Sequence, residues 1–276
     1  MRLDSHQHFW KYNPDKHSWI NEDMKVIQKN FLPEDLLPLL SQHNIDGCVA
    51  VQADESFHET AFLLDLAEEY EKIKAVVGWA DLASDELDKD LDQFAKHPKL
   101  KGYREILQSK PIEYMLRENF IRGIEKIGKR GYTYDILVFP NQLEATLKFI
   151  KLSPEQPFAI DHLAKPNIKL GIWREWKKEM APLAEREYIY CKLSGMVTEA
   201  DWRGWKPNDF QTYMDIMLET FGPGRLMFGS DWPVCLVAAE YEQVFDLVDR
   251  FTEKLSPTEK KQIMGENAAT FYGIKE

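Results

Sequence analysis

Short β-branched or aromatic runs alternate with longer amphipathic stretches from one end of this chain to the other, eight times over. That alternation constrains the fold more than any other feature, because it is the pattern of parallel βα units. The spacing predicts strands over 2–8, 47–52, 74–80, 100–105, 132–138, 158–163, 188–194 and 226–230. Most of these runs are apolar enough to be buried on both faces, as a parallel barrel requires. Helices are expected over 33–43, 59–70, 84–96, 113–129, 142–151, 172–186, 208–220 and 238–255, with a short terminal one over 258–265. Pro33 near a first turn and the SDEL start at Ser84 mark two of the beginnings. Strands each followed by a helix predict an α/β fold closed as a (β/α)8 TIM barrel. A doubly wound open sheet is the runner-up, but no Gly-rich phosphate loop follows the first strand.

A chain of 276 residues is long enough for such a barrel as a single domain over 1–276, and no Gly/Ser-rich or charge-run linker divides it. The start MRLDSHQHFW lacks an apolar core of signal-peptide length, and no stretch has the length of a membrane span, so a cytoplasmic location is the expectation. Three cysteines, Cys48, Cys191 and Cys235, stand far apart in no CxxC pair, which argues against a disulfide framework or a thiolate zinc site. A formal charge of −11 opposes binding to nucleic acid or anionic membrane, so the expected partner is a small molecule, with homo-oligomerisation left open.

Chemistry-bearing residues gather at predicted strand ends, where barrel enzymes place catalytic groups. His6 and His8 are two apart at the carboxyl end of the first strand and, on strict alternation, share a face. His162 ends the sixth strand in AIDHLAKP, and Asp231 ends the eighth in FGSDWP. Since the last strand of a barrel closes on the first, Asp231 is expected beside the two histidines. Asp4 would lie on the same face but deeper, either orienting a histidine or as a structural carboxylate. His17, His43, His58 and His97 read as solvated or packing residues. Arg104 in KGYRE and Lys192 in CKLSG are cations on strands, which need a carboxylate partner or an oxygen-rich ligand; contact with substrate is the expectation for both. On that basis Arg104→Met is expected to affect kinetics far more than stability. Trp10, Trp79, Trp202, Trp205 and Trp232 fall at predicted βα loops, where Trp79 and Trp232 are expected to shape a pocket, against the alternative that such residues cap the barrel.

DSHQHFW, LKGYREILQ, IDHLAKP, KLSGMVTEA and FGSDWPVC, in this order from Asp4 to Cys235, resemble the amidohydrolase superfamily. The resemblance is to its lactonase group, which includes L-rhamnonolactonase, L-fuconolactonase and pyrone dicarboxylate lactonase. It implies a barrel hydrolase that opens the cyclic ester of a sugar-acid lactone, with His6, His8, His162 and Asp231 as the catalytic and metal-ligating set. The broader superfamily adds a bridging Lys or Glu at the fourth strand and a His at the fifth, where this chain has Arg104 and TYDIL. The implied cofactor is therefore at most one divalent ion, zinc first among candidates, with metal-independent turnover left open. In the implied mechanism Asp231 is the general base toward water, and the three histidines polarise the lactone carbonyl as donors or through the ion. The competing readings are a metal-dependent decarboxylase of the same superfamily and a catalytically inactive binding barrel.

Overall fold

The computed structural model describes residues 1–275. Eight parallel strands follow in chain order: β1 (Leu3–Gln7), β2 (Gly47–Val51), β3 (Ile73–Gly78), β4 (Leu100–Glu105), β5 (Thr133–Ile136), β6 (Phe158–Ile160), β7 (Ile189–Leu193) and β8 (Leu226–Phe228). Each pairs with the next, and Gln7 bridges Trp232 in parallel just past β8. The His8 amide donates to the Trp232 carbonyl at 2.7 Å and the Asp231 amide to the His6 carbonyl at 2.8 Å, so the seam of the expected (β/α)8 barrel closes at the carboxyl ends of the strands.

Helices α1 (Pro33–Gln42), α2 (Phe57–Glu69), α3 (Leu87–Phe94), α4 (Glu118–Lys129), α5 (Leu143–Leu152), α6 (Arg174–Ala184), α7 (Pro207–Phe221) and α8 (Tyr241–Thr252) each follow a strand and cover the barrel. The apolar core therefore has two shells. An outer one packs strands against helices, and an inner one of Leu3, Val49, Val51, Ala75, Val77 and Met227 fills the barrel. The small and β-branched types in the inner shell are the ones a barrel interior admits.

The chain end departs from expectation. In place of one short helix there are α9 (Pro257–Lys261), a π turn (Gln262–Glu266) and α10 (Asn267–Phe271). Ala268, Phe271 and Tyr272 join the inner shell and plug the barrel. Among the described residues no helix is long and apolar enough to cross a membrane.

The β2–α2 connection reaches the barrel mouth and is held by α2 itself. Ser56 caps the helix by accepting from the Glu59 amide, and the Glu59 carboxylate accepts from the Ala53 amide at 3.0 Å. Burial pushes the Glu59 carboxyl up to about 7. A carboxyl raised on folding leaves stability intact below its unfolded value near 4.5 and erodes it as pH rises toward the folded value. Glu59→Gln, which keeps the acceptor, is expected to raise Tm over wild type at pH ~8 and to lose that advantage below pH ~5. Thermal unfolding at the two pH values checks this, and an advantage independent of pH would contradict it.

Candidate active site

β1 carries one extra residue against β2, since Leu3 faces Gly47 and Asp4 faces Cys48 but Gln7 faces Ala50. This irregularity resets the alternation. His6 and His8 turn into the barrel mouth, whereas Asp4 turns outward, accepting from Tyr241 of α8 at 3.2 Å and from the Ser230 amide at 2.9 Å. The expectation that Asp4 shares their face is thus corrected. Asp4 instead ties β1 to β8 and α8 behind the site, also accepting from the His6 amide at 3.2 Å.

His162 arrives by a different device. β6 stops at Ile160, three residues earlier than the periodicity allows for, and His162, Leu163, Ala164 and Lys165 all adopt positive φ of 53–55°. The Lys165 amide donates to the His162 carbonyl at 2.7 Å, closing a left-handed turn. Each non-glycine residue in that region costs roughly 1–2 kcal/mol, so four in succession are held only by their surroundings. Gly195 is one of those surroundings: its φ is +61°, and a Cβ there would stand 2.5 Å from His162 Nδ1. Asp231, also at positive φ, completes the set from beyond β8.

The four residues expected at the site converge. His6 Nε2 lies 3.2 Å from His8 Nε2, and Asp231 Oδ1 lies 3.4 Å from His8 Nε2 and 3.9 Å from both His6 Nε2 and His162 Nε2. Their backs are supported, as ligating imidazoles require. His8 Nδ1 donates to the Val51 carbonyl at 2.8 Å, which leaves Nε2 as a lone pair. In that tautomer His8 offers an acceptor and not a donor toward the cavity, and the expectation that all three histidines act as donors is narrowed. His162 Nδ1 meets Ser194 Oγ at 2.8 Å, and His6 Nδ1 faces Asp161 at 3.3 Å. Burial lowers His162 to about 4 and His6 far below its usual value. Burial pushes the Asp231 carboxyl up, but His162, His8 and Lys165 outweigh it and hold it below the ordinary range. At neutral pH His6 and His162 are therefore uncharged imidazoles beside an ionised Asp231 carboxylate.

That donor chemistry suits a divalent ion. Bonds of about 2.0–2.2 Å in a tetrahedron set neighbouring donors roughly 3.3–3.5 Å apart, close to the His6–His8 and His8–Asp231 separations of 3.2 and 3.4 Å, with His6–Asp231 wider at 3.9 Å. His162 groups instead with His6 and Asp161.

Beneath the histidines lies a layer of charge. Arg104 Nη1 donates to Asp161 at 3.0 Å and meets His6 Nε2 at 3.3 Å, while its other nitrogen donates to the Gln52 carbonyl. Lys192 Nζ sits 2.5 Å from Asp135, 2.9 Å from Asp161 and 3.1 Å from His6 Nδ1, and Tyr272 from the barrel plug donates to Asp135 at 2.8 Å. Two cations and two carboxylates offset one another there. Lys192 is fully buried and does not line the mouth, so its expected substrate contact is corrected: the ammonium holds the floor. Arg104 does line the mouth cavity, but its removal would also strip Asp161 of one of its two cations, so stability and kinetics are tied at this position. Asp135 and Asp161 escaped the sequence reading. Two in-strand aspartates and two in-strand cations, each too costly to bury alone, were the signal that could have paired them.

The cavity above is about 470 Å³. Trp79 and Trp232 do not line it, because Trp79 packs on Phe57 of α2 and Trp232 on Phe31 and Phe9. Trp10 is buried and Trp205 donates to the Ala238 carbonyl, leaving Trp202, joined by Trp19, as the aromatic wall. Cys48, Cys191 and Cys235 are buried and free.

The amidohydrolase family pattern matches residues 3–274. An L-fucono-1,5-lactonase of Burkholderia multivorans is 39% identical over 100% of this chain and 97% of its own length. One of Burkholderia ambifaria is 34% identical over 99% and 96%. A crystal structure of a Burkholderia multivorans amidohydrolase with bound zinc superposes with a TM-score of 0.97 at 39% identity, over 100% of both chains. The chain belongs to the amidohydrolase family.

Proposed function

We propose that this protein is a hydrolase that opens the cyclic ester of a sugar-acid lactone, an aldonolactone such as L-fuconolactone or L-rhamnonolactone. The observation that carries this is Asp231, an ionised carboxylate within 3.9 Å of three imidazole nitrogens at the floor of a sugar-sized cavity. Likeness to two L-fucono-1,5-lactonases along the whole chain supports the substrate class. Asp231 takes a proton from water poised over the lactone carbonyl, the water oxygen bonds to that carbon, and the proton returns to the ring oxygen as the ester bond breaks. The carbonyl oxygen lies against Arg104 and His162, whose Nε2 donates when Ser194 donates to Nδ1. His6, His8 and Asp231, with His162 alongside, would hold one divalent ion, zinc by donor chemistry and by the zinc in the similar structure. When bound, that ion supplies Lewis acidity toward the carbonyl. Trp19 and Trp202 offer ring faces to the sugar.

A decarboxylase of the same family would need an unengaged cation beside the site to hold the carboxylate. Arg104 is paired with Asp161, Lys192 with Asp135 and Asp161, and Lys165, the cation at the cavity wall, faces the Glu199 carboxylate at 3.8 Å, so a substrate carboxylate there would meet a carboxylate as well as an ammonium, which favours a neutral lactone. The test is a panel of aldonolactones followed by acid release, with and without chelator, alongside carbon dioxide analysis and elemental analysis of metal-supplemented protein. Acid without carbon dioxide, and no more than one ion per chain, are expected. Carbon dioxide release would replace the lactonase with a decarboxylase, and two stoichiometric ions would contradict the single-ion site.

A further inference from the structure

The left-handed turn that delivers His162 delivers a second side chain at its other end. Lys165 closes the turn at φ 53°, and its ammonium lines the same cavity as His162 and Asp231. Opposite it, Glu199 rises from the segment after β7 and lines the cavity beside Trp202 and Thr198. The two groups stand 3.8 Å apart, each about one fifth exposed. Among the described residues, neither charged group has a hydrogen-bond partner, in contrast to the floor cations, each of which donates to a carboxylate.

We propose that Lys165 and Glu199 together read one hydroxyl group of the sugar lactone and thereby set which lactones the site accepts. An oxygen about 2.7–3.0 Å from both atoms completes a triangle on their 3.8 Å base. There the ammonium donates to the hydroxyl oxygen and the carboxylate accepts the hydroxyl proton, a pairing that neither a carbonyl nor a methylene satisfies. Charge-assisted bonds are the strong kind, and a site built around them rejects the analogue that leaves its polar groups unpaired. The backbone strain fits this use, because one distorted turn positions both a site histidine and a recognition group. The inference rests on the lactone reading above and assigns the pair to recognition, while the proton transfers stay with Asp231.

The experiment compares wild type, Lys165→Met and Glu199→Met on an aldonolactone that wild type opens and on analogues each lacking one hydroxyl, reading kcat/KM. In wild type, removal of the recognised hydroxyl is expected to lower kcat/KM by about 10- to 100-fold, the scale of a lost hydrogen bond to a charged group. In either variant the same removal should cost less than about threefold, while removal of the other hydroxyls costs what it does in wild type. Lys165→Arg should keep part of the discrimination. Losses of the same factor on every lactone would mean that the pair merely supports the fold, and would overturn this inference alone. Failure of wild type to open any aldonolactone would overturn the lactone reading and this inference with it.

Discussion

Asp231→Asn is expected to leave the fold in place and to lower kcat by about 10²- to 10⁴-fold, the usual contribution of a general base. Asparagine preserves the side chain's size and can still hydrogen-bond to His8, but it has no basic oxygen to take the proton from water. The effect should fall on kcat, since the group acts on water in the transition state and contributes little to holding the lactone. Steady-state kinetics corrected for spontaneous lactone opening, with circular dichroism on the same sample, makes the comparison. A folded Asp231→Asn protein with near wild-type turnover would remove Asp231 from the mechanism and return the search for a base to the histidines.

Lys192→Met is expected to be the most damaging substitution for stability at the site, although it faces no substrate. The ammonium is fully buried and paired with Asp135 and Asp161. Without it two carboxylates lose a shared cation inside the barrel, and breaking a buried pair this way costs roughly 3–5 kcal/mol. For a chain of this size that corresponds to a fall in Tm on the order of 10 °C. Adding Asp135→Leu to the variant removes one stranded carboxylate and should recover part of the loss. Unchanged Tm with raised KM would mean that Lys192 reaches substrate after all.

The contrast between those two residues shows what the sequence could reveal. Asp231 was legible because a strand end has an address: the eighth strand closes on the first, so an aspartate there meets His6 and His8 whatever the loops do. Lys192 was legible as a cation in a strand but not as a partner of Asp135, on β5, and Asp161, just past β6, which follow no local spacing. The barrel itself was readable from alternation, and the strands lie where it put them, most of them shortened at their ends, with β4 as expected and β3 beginning one residue earlier. Two local features defied the period. The extra residue in β1 turned Asp4 away from His6 despite the two-residue spacing. At β6, every residue from Phe158 to Ala164 is buried, so no exposed position marks where the strand gives way to the left-handed turn. Leu163 and Ala164 have no side-chain feature that favours positive φ, so only the packing around them reveals the conformation. Likewise α10 was missed because NAATF is too short to display a helical period, and its role as a plug depends on Tyr272 reaching Asp135.

The central claim is that water held by Asp231 attacks the carbonyl of a sugar lactone in this cavity. Its most direct test is opening of an aldonolactone in heavy-oxygen water, with the position of the label in the product read by mass spectrometry. The account predicts opening well above the spontaneous rate, one heavy oxygen in the new carboxylate, none in the released hydroxyl, and loss of the enzymatic component in Asp231→Asn. A label in the hydroxyl, or no opening beyond the spontaneous rate for any aldonolactone, would contradict it.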